Sequence, residues 1–172
     1  EKKAFLDDLK EFNVKPIAMQ SVLFGTQGMS LFENEISREK LLIFLKQAID
    51  WAHFIGIEAI IFGSPKNRIM SNSSDKSLWE IAKNYFKEIG DYSSENGVRF
   101  CLEPNPKEYG TNFLNTTVET IEFVKNVDSK GLFVNLDTGA LIMNKENIKT
   151  ILNIENIKLI GHVHISEANL EP

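Results

Sequence analysis

Short apolar runs that end in Gly, Pro or Ser alternate along the chain with longer stretches whose apolar residues recur every three or four positions. The runs are KPIAMQSVLFG (15–25), EAIIFGSP (58–65), VRFCLEP (98–104), GLFVNLDTG (131–139) and IKLIGHVHIS (157–166). Rich in β-branched and aromatic residues and lacking a polar face, they predict five strands buried on both sides. Between them, helical spacing predicts REKLLIFLKQAIDWAHFIG (38–56), with Ser37 as its cap, Gly56 at its end, and Leu41, Leu45, Ala48, Ile49 and Ala52 on one face. The same spacing predicts helices in 77–97, 115–128 and 144–156, and the opening segment 1–13 reads as the tail of another.

Strict alternation of buried strands with amphipathic helices predicts a parallel sheet covered by helices, because parallel strands need crossover connections. A doubly wound open sheet normally carries a glycine-rich phosphate turn after its first strand, and the chain has no such turn. A (β/α)8 barrel instead gathers polar side chains at the C-terminal ends of its strands. Here those ends hold Gln20 and Ser21, Gly63 and Ser64, Glu103, Asp137 and His164. A complete barrel takes about 250 residues and eight strands. The expected fold is therefore α/β, a partial (β/α)8 TIM barrel made of strands 3 to 7 with flanking helices. Residues 1–172 are expected to form a single domain, an incomplete barrel lacking its first two strands and its last.

Composition narrows the chemistry. With 172 residues, 42% of them hydrophobic, the chain can bury one sizeable core. A net charge of −5 provides no basic face for nucleic acid. No apolar run approaches the roughly 20 residues that span a bilayer. The single cysteine, Cys101, sits inside an apolar run and reads as a small buried hydrophobe in a reducing, cytoplasmic setting. Trp51 and Trp79 fall in helical patterns as packing residues, and His53 lies near a helix C-terminus, where a cation opposes the helix dipole.

Three strand ends carry the candidate chemistry. Glu103 follows FCL and precedes a proline that turns the chain aside, and Asp137 ends LFVNLDTG in the same way. Alone, either one reads as a turn or cap residue. In GHVHIS, residues two apart share a side of the strand, so Ile160, His162 and His164 are expected to face the interior, with His164 nearest the mouth. Two carboxylates and an imidazole suit a divalent ion, whether Mn, Mg, Co or Zn. The strand ends and the loops beyond them offer Gln20, Ser64, Lys66, Arg68, Asn105 and Glu108 for contact with a substrate, Lys66 and Arg68 being suited to a sugar phosphate or hydroxyls.

CLEPNPKEYGTNFLNT, VNLDTGALI and GHVHISEANLEP, in this order and spacing, together with MQSVLFG and IIFGSPKNR, resemble the xylose-isomerase-like barrel superfamily, and within it the ketose 3-epimerase and sugar phosphate isomerase/epimerase branch. The resemblance implies one divalent metal held by Glu103, Asp137, His164 and a second Glu from a further strand. It also implies proton transfer through an enediolate with Glu103 as catalytic base, and His162 as a support behind the metal ligands. The partner implied is a small-molecule carbohydrate, with neither nucleic acid nor membrane involved; a homo-oligomer is a further option. Two positions depart from the pattern: Ala140 stands where many relatives carry a histidine, and Leu170 where free-ketose epimerases often carry an arginine. They imply a different substrate. Two other readings stay open, a degenerate barrel serving as a non-catalytic binding module and an apurinic-site endonuclease-like metal hydrolase.

Overall fold

A computed structural model describes residues 2–168. Helix α1 (Lys2–Glu11) leads into strand β1 (Ala18–Met19), helix α2 (Glu35–Ile55), β2 (Ala59–Phe62), α3 (Lys76–Glu95) and β3 (Arg99–Leu102). Helix α4 (Thr117–Val127), β4 (Leu132–Asp137), the short helices α5 (Thr138–Met143) and α6 (Ile148–Ile151), and β5 (Ile160–His164) complete the order. The five strands are parallel and pair in sequence order, β1-β2-β3-β4-β5. In a flat sheet β2 and β5 would stand about 14 Å apart, at about 4.8 Å per strand. Instead their Cα atoms approach within 8 Å, so the sheet curls into the wall of a partial TIM barrel. Among the described residues no helix is long and apolar enough to cross a membrane.

Strand alternation divides the apolar side chains. Ile60, Phe62, Phe100, Leu102, Leu132, Val134 and Leu136 point to the convex face and join the buried faces of α2, α3 and α4 in the main core. Phe86 of α3 sits in an aromatic cluster there, its ring 5.6 Å from Phe62, 5.9 Å from Phe123 and 6.3 Å from Phe113. Trp79 packs on Phe113, and Trp51 stacks on Phe54. The concave face holds a much smaller cluster of Ala59, Ile61 and Cys101, flanked by Ala18 and Phe133.

Four expectations change. Helix α2 is capped by Asn34, whose side chain accepts the Ser37 N–H at 2.8 Å, so Ser37 lies inside the first turn. The helix expected over 144–156 breaks into α6 and a 3₁₀ turn (Asn156–Leu159), because Asn147 and Asn153 each take nearby backbone N–H groups and restart the chain. An unforeseen helix, α5, starts directly at Asp137. Finally, Ile160 faces the convex core, not the interior. The β4–β5 register shifts between Val134 and Asn135, pairing Val134 with Ile160 and Asn135 with His162, which leaves Gly161 as the extra residue of a bulge. Gly161 takes the inward place because nothing larger fits: a Cβ there would stand 2.6 Å from Phe133 Cβ and 2.8 Å from Cys101 Sγ.

Candidate metal centre

Strands β3, β4 and β5 end side by side, and their ends bring Glu103, Asp137 and His164 together with one ligand atom from each within 4.8 Å of the others. His164 Nδ1 lies 2.7 Å from Glu103 Oε1 and 4.0 Å from Asp137 Oδ2. That contact with Glu103 holds the imidazole pKa above its ordinary value, against the opposing pull of burial. Asp137 does two things at once. Its Oδ1 caps α5 by accepting the Ala140 N–H at 2.7 Å, and both its oxygens accept from the Ser166 hydroxyl, at 2.9 and 3.0 Å. The turn role foreseen for an isolated Asp and the ligand role are therefore compatible in one carboxylate.

Glu103 is held just beyond β3, where its N–H bonds the Phe62 carbonyl at 3.1 Å. Its two oxygens meet different surroundings. Oε1 accepts from Asn135 Nδ2 at 2.6 Å and faces His164, whereas Oε2 lies over Gly63, where a Cβ would approach it to 2.5 Å. Gly63 is thus a cradle for the carboxylate. Two carboxylates and an imidazole converging at a strand-end mouth fit a hard or borderline divalent cation.

The centre opens into a cavity of about 730 Å3 whose lining includes Gln20, Ser64, Asn105, Tyr109, Ala140 and Ser166. Of the residues expected to meet a substrate, Gln20 and Ser64 line it directly. Asn105 is buried at its edge, donating to the Glu103 carbonyl at 3.0 Å. Lys66 is exposed and lines a neighbouring cavity instead. Glu108 is exposed on the turn Lys107–Tyr109, outside the lining. Arg68 is the clearest departure. The 3₁₀ turn Pro65–Asn67 carries it back under the mouth, where it is fully buried and donates to the Glu103 carbonyl at 2.7 Å. Burial pushes its pKa down to about 10, opposed by Glu103 and Glu119. His162 sits one layer below with its ring edge-on to His164, centroids 5.1 Å apart, so the two imidazoles pack together. Burial first, then His164 and Arg99, lower its pKa. His53 bonds the Asn96 carbonyl through Nδ1 at 2.8 Å, far from the centre. The Leu170 position lies outside the described residues.

Sequence reasoning passed over Asn135, Tyr109 and Ser166. Asn135 had the same signal as His-x-His, since Asn135-x-Asp137 puts two polar groups on one strand face. Its Oδ1 is buried without a partner among the described residues, while its Nδ2 ties Glu103 to the layer below. Tyr109 faces the centre closely enough that, after burial, Asp137 and Glu103 help raise its pKa.

A model of the xylose isomerase-like TIM barrel family matches residues 1–172. The chain belongs to that family. No curated protein matches it. Among solved structures, this member of the xylose isomerase-like barrels is similar to 3-keto-D-glucoside 4-epimerase, YcjR, from E. coli, with a TM-score of 0.80 and 15% identity over 96% of this chain and 64% of the other. It is also similar to D-psicose 3-epimerase from Clostridium cellulolyticum H10, solved with D-tagatose (TM-score 0.73, 20% identity, 96% and 57% covered). A third similar structure is the IolI protein with a zinc atom (TM-score 0.69, 18% identity, 93% and 55% covered). The chain thus spans between 55% and 64% of the length of these barrels.

Proposed function

We propose that the protein is a metal-dependent sugar isomerase or epimerase acting on a ketose or ketose phosphate. The observation that carries the reading is the divided environment of Glu103, with Oε1 turned to His164 and Asn135 and Oε2 turned to the Gly63 cradle at the cavity. The names of the similar structures, sugar epimerases acting at C3 or C4 and a zinc-bound protein, add support. In this reading Glu103, Asp137 and His164 hold the cation. A divalent cation supplies Lewis acidity that makes a sugar C–H next to a carbonyl easier to ionise. Glu103 takes or returns that proton, Asn135 and Gly63 fix the direction of its carboxylate, and Ser166 with the Ala140 N–H fixes Asp137. His162 braces the His164 ring, and Gln20, Ser64, Asn105 and Tyr109 are positioned to meet the sugar.

The test is exchange of substrate C–H with deuterated solvent, across a panel of ketoses and their phosphates, using full-length protein loaded with Mn2+. Metal-dependent exchange with at least one sugar is expected. Glu103→Gln should retain the fold and slow exchange by about 10²–10⁴-fold, the usual worth of a general base. His164→Ala should weaken metal binding first, with exchange partly recovered at high Mn2+. Absence of exchange with every sugar sinks the reading and leaves a binding module.

A further inference from the structure

Arg68 is the only charged side chain among the described residues to be fully buried. It follows β2 and reaches the end of β3, two strands with a neighbouring strand on each side. Taking a guanidinium out of water is costly, and an apolar side chain of like volume often stabilises a core as well or better. Bonding does little to offset that here. Nε and Nη1 have no hydrogen-bond partner among the described residues, and Nη2 alone is used, donating to the Glu103 carbonyl at 2.7 Å. A cation buried for a single bond directs attention to what that bond holds.

Glu103 stands where β3 leaves the sheet. Its N–H still bonds the Phe62 carbonyl, whereas its own carbonyl is taken by two side chains, Arg68 Nη2 and, at 3.0 Å, Asn105 Nδ2. With N–H and carbonyl both tied, the peptide planes that flank the Glu103 Cα are fixed, and with them the direction in which its Cβ leaves the chain. Of the two donors the guanidinium is the closer and carries the charge, and charge-assisted bonds are roughly twice as strong as neutral ones. The arm itself is clamped. The Arg68 carbonyl accepts from the Thr111 hydroxyl at 3.3 Å, and Met70 exchanges a reciprocal pair of bonds with the Asn112 side chain, at 2.8 and 2.9 Å. Thr111 and Asn112 belong to the loop that Glu103 begins, so the guanidinium is anchored to the same segment whose first residue it grips.

We infer that Arg68 is a positioning residue for the metal centre, aiming the Glu103 carboxylate at the cation by holding the Glu103 carbonyl. The inference rests on the reading in which Glu103, Asp137 and His164 hold a divalent cation.

Calorimetric titration of full-length protein with Mn2+, in the absence of sugar, tests it. Arg68→Met should fold, because Glu103 and Glu119, the acidic groups that attract the guanidinium, are both partly exposed and Asn105 still holds the carbonyl. It should bind Mn2+ about tenfold more weakly than the parent, the usual effect of losing a group that orients a ligand. Arg68→Lys, which keeps a donor on a long stem, should recover affinity to within about threefold. In a Glu103→Ala background, Arg68→Met should weaken binding by less than about twofold further, since effects that run through one residue do not add. Unchanged affinity in Arg68→Met, an equal loss repeated in the Glu103→Ala background, no recovery with lysine, or an Arg68→Met that fails to fold makes Arg68 a structural residue and overturns the inference. Deuterium exchange scored on the same samples separates the two ideas. The expected affinities without exchange by the parent sink only the isomerase reading, exchange by the parent with an unmoved Arg68→Met affinity sinks only the positioning role, and a parent that binds no Mn2+ sinks both.

Discussion

On the convex face of the sheet, Ile60, Phe62, Phe100, Leu102, Val134 and Leu136 are buried under three helices, while the concave face carries Ala59, Ile61 and Cys101 with the half-buried Ala18 and Phe133, beneath Asn135, Glu103, Asp137 and His164. The same strands supply both sets, one residue out of phase. Large side chains on one face pack against helices that can adjust to them. Small ones on the other leave room for polar groups at the mouth, and Gly161 and Gly63 go furthest, each omitting a side chain where another residue's atoms must pass. The comparison teaches that stability and candidate chemistry are separable here, because a substitution on one face has no side chain in common with the other.

The sharpest break of that separation should come from the convex side. Phe86 is fully buried among Phe62, Phe113 and Phe123, and Phe86→Ala should cost about 3–5 kcal/mol. For a chain of this size that lowers Tm on the order of 10 °C. Below the transition, Mn2+ affinity should stay within twofold of the parent. A large loss of affinity in the still-folded variant would show that the core and the mouth are coupled.

Next come the two glycines of the concave face, which look alike in sequence and should fail differently. At Gly161 an added methyl meets Phe133 Cβ and Cys101 Sγ, both held in packing, so Gly161→Ala should cost about 1–3 kcal/mol, read from the denaturant midpoint. At Gly63 the methyl meets Glu103 Oε2, the free end of a flexible side chain. Gly63→Ala should therefore change stability by less than about 1 kcal/mol yet reduce Mn2+ affinity by about 10–100-fold, the usual effect of disturbing what orients a ligand. Unchanged affinity would mean that Oε2 does not need the cradle.

These contrasts also explain how much was legible beforehand. All five strands, and the convergence of Glu103, Asp137 and His164, follow from runs of apolar residues and from polar groups at their ends, since side-chain alternation is a local property of a strand. The bulge at Gly161 is not local. It depends on Phe133 and Cys101 of neighbouring strands, so strict alternation along β5 puts Ile160 on the wrong face. Arg68 shows the same limit: a loop cation ordinarily stays in water, and it is the turn at Pro65–Asn67 that carries this one under the mouth, where the Glu103 carbonyl accepts one of its N–H groups. Tyr109 and Ser166 reach the cavity from irregular segments, where spacing carries no direction.

The last expected effect vanishes at neutral pH and grows only in alkali, and it tests whether the floor of the concave face is as dry as the convex core. Cys101 is fully shielded there, and burial pushes its thiol pKa from the usual 9.0 up to about 12, with Arg99 pulling weakly the other way. In the unfolded chain the thiol loses its proton near 9 and in the native chain only near 12, so between these values the unfolded state binds fewer protons and stability falls as pH rises. The thiol's contribution is therefore fully present below pH 9 and is lost progressively toward pH 12, at up to about 1.4 kcal/mol per pH unit. Lysines and tyrosines titrate in the same range, so the quantity to measure is the difference in unfolding free energy between the parent and Cys101→Ala. That difference should be flat from pH 7 to 9 and shift against the parent above it. In the native protein at pH 8, a thiol reagent should label Cys101 only at the rate of global unfolding, because the reactive thiolate is suppressed and the sulfur has no open path. Rapid labelling at that pH would mean that water reaches the floor beneath Asn135, and that the concave face is an extension of the cavity and not a second, smaller core.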